Sequence, residues 1–298
     1  MAVKSYTTEK EEGSNKTFTV WYPEGKTGCP LVVFAHGYSG SASSHDYMAT
    51  KIAEDGYVVC IPDCEDDDKY GFLGNFTFLM FATPINQVNV DGTTLQAAYD
   101  YVVGASKDES SPLPSGVVDT DTVVAGGFSM GGVEAISFAA SDKSPDVKAL
   151  LLVSASTLMF GTVSWRMSQS KLAETTDALE MPTLYITSAN DMAAVSAFKY
   201  AARGKDTELV NFKSEVLDIE CPNTAKTSWK NFLGTPGKMM GINDHFALAC
   251  EDGPSYKAIL PFMKNALTTG KSGELDLDPE LLAPKEMNYS KAFQLVFG

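Results

Sequence analysis

The chain has 298 residues, 44% hydrophobic and 20% charged, the mix of a globular protein with a sizeable core. Its 38 acidic residues against 23 basic ones leave a net charge of −15, which repels phosphate backbones and so excludes nucleic acid as an expected partner. The same charge disfavours strongly anionic substrates, and no apolar run reaches the roughly 18–20 residues that would cross a bilayer, so no stable membrane insertion is expected.

In chain order, residues Met1 to Glu12 are polar and lack the basic-then-apolar order of a signal peptide. Glycosylation-type triplets begin at Asn15, Asn75 and Asn288, and they tilt the expectation toward a secreted source with its export signal removed. Thr17–Trp21 alternates like a hairpin strand. Short apolar, β-branched runs follow at Leu31–Ala35, Tyr57–Ile61, Thr122–Gly127, Val147–Val153 and Thr183–Thr187. Their near-continuous apolar character suits parallel strands buried on both faces.

Amphipathic segments between these runs predict helices over Ser43–Glu54, Leu95–Val103, Gly131–Ala140 and Tyr256–Leu267. Pro261 predicts a kink or a later start in the last of them. Strands alternating with helices predict an α/β fold, with a mostly parallel central sheet flanked by helices on both faces. No repeat or linker divides the chain, so residues 1–298 are read as one domain and as a monomer. An apolar insertion is expected near 63–89 and a C-terminal surface extension over 268–298. The insertion opens on Glu65-Asp66-Asp67-Asp68, a solvated run without the spaced carboxylates of a calcium loop. It continues through Phe72, Phe76 and Phe78, which either pack as core or form one wall of a substrate cleft.

Gly127-Phe128-Ser129-Met130-Gly131 matches G-x-S-x-G and falls between a predicted buried strand and a predicted helix. That is the sharp turn on which a nucleophilic serine is held in a strained backbone, with the free N–H groups of the helix aimed at developing charge. A serine hydroxyl needs a neighbouring base. Of the histidines His36, His45 and His245, only His245 follows the serine, as the order serine, acid, histidine requires. It sits in the polar, turn-prone stretch Gly241–Phe246.

The acid is expected just after the strand two beyond the serine's, which makes Asp191 the first candidate. Asp218, one strand later, is the rival, and Asp244 cannot easily fold back onto the ring of its own neighbour. His36-Gly37-Tyr38 follows the first strong strand, where a second oxyanion donor is expected. The donors are then the backbone N–H groups of Tyr38 and Met130, with His36 orienting the loop. No metal and no cofactor is called for.

These residues resemble the polyesterase, lipase and cutinase branch of the α/β-hydrolases that includes PET hydrolases, with chlorophyllases and dienelactone hydrolases nearby. The resemblance covers roughly Pro30 to Leu267 and rests on His36-Gly37-Tyr38, Gly127–Gly132, Pro182-Thr183-Leu184 leading to Asn190-Asp191, and His245-Phe246. It implies the α/β-hydrolase fold, a Ser129–Asp191–His245 triad, and a small-molecule or polymeric ester of neutral, hydrophobic character as substrate. Tyr38 and Met130 match the aromatic and the methionine that supply oxyanion N–H groups and pack on the ester in PET hydrolases.

Phe128 stands where those enzymes carry Trp or His, and Ser188 where they carry a cysteine, so their active-site disulfide is absent. Phe128 and Trp165, with Tyr38, Phe76 and Phe78, are the candidate substrate contacts, although Trp165 suits a core position equally well. A thioesterase, a peptidase or a non-catalytic binding protein of the same fold stays open. Among the cysteines Cys29, Cys60, Cys64, Cys221 and Cys250, a bridge from Cys221 to Cys250 would flank the His245 loop.

Overall fold

Strands rich in Val, Ile and Leu cannot face water on either side, and here they form the middle of a single sheet. The computed structural model describes residues 1–9, 16–37, 40–64, 91–155, 169–188, 190–191, 203–217, 242–249 and 253–285. Among these, eight strands pair side by side: β1 (Val3–Thr7), β2 (Lys16–Pro23), β3 (Cys29–Ala35), β4 (Val58–Cys64), β5 (Val118–Phe128), β6 (Val147–Val153), β7 (Thr183–Ser188) and β8 (Thr207–Phe212). The spatial order is β1-β2-β4-β3-β5-β6-β7-β8. β1 and β2 are antiparallel, β2 lies antiparallel on β4, and the pairings from β4 through β8 are all parallel.

The helices are α1 (Asp46–Glu54), α2 (Thr93–Ala105), α3 (Met130–Ala139), α4 (Gln169–Ala178), α5 (Ile242–Ala247) and α6 (Ser255–Thr269). Side chains alternate across each strand, so each apolar run feeds two cores. Val33, Ala35 and Cys60 pack with Leu95, Ala98 and Val102 of α2 and with Val133 and Ile136 of α3. Val32, Phe34 and Ile61 pack on the other face with Met48 and Ile52 of α1 and with Ile259 and Phe262 of α6. Cys29 and Cys60 are buried free thiols.

The neighbours β3 and β5 send their following helices, α1 and α3, to opposite faces of the sheet. That reversal opens a crevice at their C-terminal ends, where open α/β sheets take their ligands. Ser129 follows β5 and Gly37 follows β3, so both sit at this point.

Several boundaries differ from the sequence expectation. β4 runs to Cys64, so Asp63, expected at the start of the insertion, is a strand residue, and 65–90 lie outside the described residues. α6 continues through Pro261 to Thr269, so the C-terminal extension starts at Gly270. A proline costs the helix one N–H donor, and α6 instead gains the burial of Ala258, Ile259, Phe262 and Met263. The extension then reaches the sheet. Lys213 N–H donates to Leu281 O (3.0 Å) and Ala283 N–H to Asn211 O (2.8 Å), so residues 281–283 pair with the end of the edge strand β8. No helix among the described residues is long and apolar enough to cross a membrane.

A buried carboxylate ties α3 to α2. Glu134 accepts backbone N–H bonds from Gly92 (3.0 Å), Thr94 (2.9 Å) and Leu95 (3.3 Å), which are free donors at the start of α2. Burial outweighs these bonds and pushes its carboxyl from the ordinary 4.5 up to about 7. The native state therefore holds a proton that the unfolded chain has released between these values. Stability from this group is full below pH 4.5, falls as pH rises to about 7, and is flat above. Glu134→Gln is expected to remove that slope, on the order of 3 kcal/mol across the window. Denaturant unfolding of wild type and variant at pH 5 and 7 reads it, and parallel pH dependences would refute the assignment.

Candidate active site

Ser129 is half-buried at the junction of β5 and α3, with φ 54° and ψ −120°. A serine rarely adopts these angles, and the strain raises its side chain out of the sheet. Two glycines make the turn possible. A Cβ on Gly127 would lie 2.0 Å from Gly131 O, and one on Gly131 would lie 2.2 Å from Ala35 O. Both clashes are with backbone, which cannot swing away. Gly131→Ala is expected to cost about 3 kcal/mol, the upper end of overpacking, read as a lower denaturant midpoint. An unchanged midpoint would mean that β3 and α3 can part.

His245 lies in α5, a helix of six residues, rather than in the loop expected from its turn-prone sequence. Ala247, Leu248 and Ala249 bury the helix's C-terminal end in the core shared by α1 and α6, and this burial outweighs weak local propensity. The imidazole is buried. Its Nδ1 is 2.8 Å from Asp191 Oδ1, and its Nε2 is 2.9 Å from Ser129 Oγ. Asp191, 2% exposed, leaves the C-terminal end of β7. The three residues thus form one hydrogen-bonded line across the ends of β5 and β7.

The second oxygen of Asp191 is also occupied. Ser154 Oγ donates to Oδ2, and Thr187 Oγ1 donates to the same atom at 3.1 Å. Ser154 is fully buried at the end of β6 and has φ 47°, the second non-glycine residue with a positive φ besides Ser129 among those described. Neither Ser154 nor Thr187 stood out in the sequence. The available signal was position, since both end a strand at or beside the strand of Asp191.

Phe128 is 5% exposed and packs its ring 4.8 Å from His245 and 5.6 Å from His45. It is committed to supporting the imidazole and offers little surface to a ligand. His45 is buried between Phe34 and Phe128, and burial holds it neutral by lowering its value to about 3. The His36 ring is engaged elsewhere, with Nδ1–H donating to Gly37 O (2.8 Å) and Nε2 3.7 Å from Asp63. That pairing shapes the loop after β3. A Cβ on Gly37 would lie 3.1 Å from Ser129 Cβ, so Gly37 lies against the serine. Met130 opens α3, and its N–H has no intrahelical acceptor.

Tyr38, Phe76, Phe78, Trp165, the rival acid Asp218, and Cys221 and Cys250 lie outside the described residues. Asp244 does not turn to His245; its carboxylate meets Ser188 and Ser214. Among the described residues no cluster of His, Cys, Asp and Glu could hold a metal ion. No family model matches the chain, and a search of curated proteins finds no match. What is established is an α/β fold with a mostly parallel eight-stranded sheet that gathers Ser129, His245 and Asp191 at one end.

Proposed function

We propose that this chain is a carboxylic-ester hydrolase of the α/β-hydrolase class, similar to the cutinase and polyesterase branch. The observation that carries the reading is the line from Asp191 through His245 to Ser129, with contacts of 2.8 and 2.9 Å. Three residues 54 and 116 positions apart do not align acceptor, imidazole and hydroxyl for packing alone.

In this mechanism Ser129 Oγ attacks the ester carbonyl while His245 Nε2 takes its proton. Asp191 holds Nδ1–H and stabilises the imidazolium. The N–H of Met130, at the positive end of α3, and that of Tyr38 receive the oxyanion. The imidazolium then protonates the leaving alcohol. Water, activated by the same imidazole, clears the acyl group from Ser129. The net charge of −15 favours neutral esters over anionic ones.

A fluorophosphonate probe tests the nucleophile directly. Stoichiometric labelling that maps to Ser129, with turnover of p-nitrophenyl esters of graded acyl length, is the expected result. Labelling with turnover of thioesters or amides alone would redirect the substrate class. Absence of labelling and of all turnover would overturn the reading in favour of a binding protein.

A further inference from the structure

Asp244 precedes His245, and Asn190 precedes Asp191. Two serines join this second pair. Asn190 N–H donates to Ser188 Oγ (3.2 Å), and Ser188 Oγ donates to Asp244 Oδ2 (2.5 Å). In parallel, Asn190 Nδ2–H donates to Ser214 Oγ (2.5 Å), and Ser214 Oγ donates to the same Oδ2 (2.6 Å). The bridges run from the end of β7, and from the 3-10 turn Ser214–Leu217 beyond β8, to the front of α5.

We propose that Asp244 is a positioning residue, whose carboxylate clasps α5 to the acid strand through Ser188 and Ser214 and so holds His245 between Asp191 and Ser129. The proposal rests on the catalytic reading of those three residues. Two features of α5 make a clasp necessary. A helix of six residues has almost no stability of its own, so its orientation comes from tertiary contacts. Among the described side chains, its buried apolar anchors, Ala247 to Ala249, follow His245 and secure the rear of the segment. Among the described side chains, two neighbours hold the front, His245 on Asp191 and Asp244 on the serines.

The clasp is built against an electrostatic cost. Burial raises the Asp244 carboxyl above its ordinary range, helped by the negative charges of Asp191 and Glu215, while the Ser188 and Ser214 hydroxyls oppose the shift. A group chosen for packing alone would not be a carboxylate here. Both hydroxyls meet on one oxygen, so an amide oxygen at position 244 can accept the same two bonds.

That equivalence defines the test. Asp244→Ala is expected to lower kcat for a short p-nitrophenyl ester about 30- to 100-fold, as an ångström-scale misplacement of a base does. KM should stay within about threefold, because the acyl site is untouched. Asp244→Asn should restore kcat to within about threefold of wild type. The low-field imidazole N–H resonance of His245, sharp in wild type and Asp244→Asn, should broaden in Asp244→Ala. Should Asp244→Ala fail to fold, Ser188→Ala carries the same comparison. A fall in Tm with kcat and the resonance unchanged would reduce Asp244 to a structural contact and overturn the proposal. Equal damage in Asp244→Asn and Asp244→Ala would overturn it too. The resonance needs no substrate, so the clasp is decided even if the chain hydrolyses no ester.

Discussion

Replacing Ser129 with alanine is expected to lower turnover of a short-chain p-nitrophenyl ester by about 10⁴-fold or more. In the proposed mechanism the substitution removes the one atom that bonds covalently to substrate. His245 then has no hydroxyl to deprotonate, and the oxyanion donors can assist only direct attack by water. Their contribution and that of binding survive, which is why some rate over the uncatalysed reaction should remain. The fold should not register the change, since alanine meets the same backbone strain at φ 54° that serine already bears. A thermal midpoint within about 3 °C of wild type, measured beside the kinetics, separates loss of chemistry from loss of structure. Undiminished turnover would place the nucleophile elsewhere.

Asp191→Asn should cost nearly as much, about 10⁴-fold in kcat, for a different reason. The carboxylate accepts a hydrogen bond at Oδ1 from His245 Nδ1–H and two at Oδ2 from Ser154 and Thr187. With Oδ2 already committed to two hydroxyl donors, an amide keeps its oxygen there and turns its NH2 group toward the imidazole. That group donates rather than accepts, so the neutral ring keeps its proton on Nε2, facing Ser129. It can no longer act as the base. Asp218→Asn should change turnover little. The opposite ranking would move the acid one strand along the sheet.

How much of this was legible in the sequence depended on how local the signal was. The strands β3 to β7 announce themselves because parallel strands are covered on both faces, which requires near-continuous apolar runs such as Leu31–Ala35 and Ala149–Val153. The serine's turn announces itself because Gly127 and Gly131 leave room where any side chain would strike backbone. β1 gives no such sign: it is an edge strand of polar composition, defined only by its pairing with β2. The helix around His245 was hidden for a related reason, because six residues carry no period and its stability comes from what it docks on.

Ser154 and Thr187 were hidden most completely, and so was the bond from Ser188 to Asp244. Each is a small hydroxyl at a strand end, a composition found at many turns, and the partners of Ser154 and Ser188 lie in space rather than in sequence. Asp244 illustrates the limit well. Sequence adjacency correctly argued against its pairing with His245, yet it could not disclose a partner 56 residues away.

Ser129 and Ser154 share one property whose meaning reaches past either residue. Both hold left-handed backbone angles that glycine adopts without strain, and both are spared the glycine. Glycine at either site would relieve backbone strain on the order of 1 kcal/mol. What each serine offers that glycine cannot is a hydroxyl at that point in space, one facing the imidazole and the other the carboxylate behind it. A variant with glycine at both positions would therefore be relieved of strain and stripped of both ends of the hydrogen-bonded line, with the pairing of the described strands untouched.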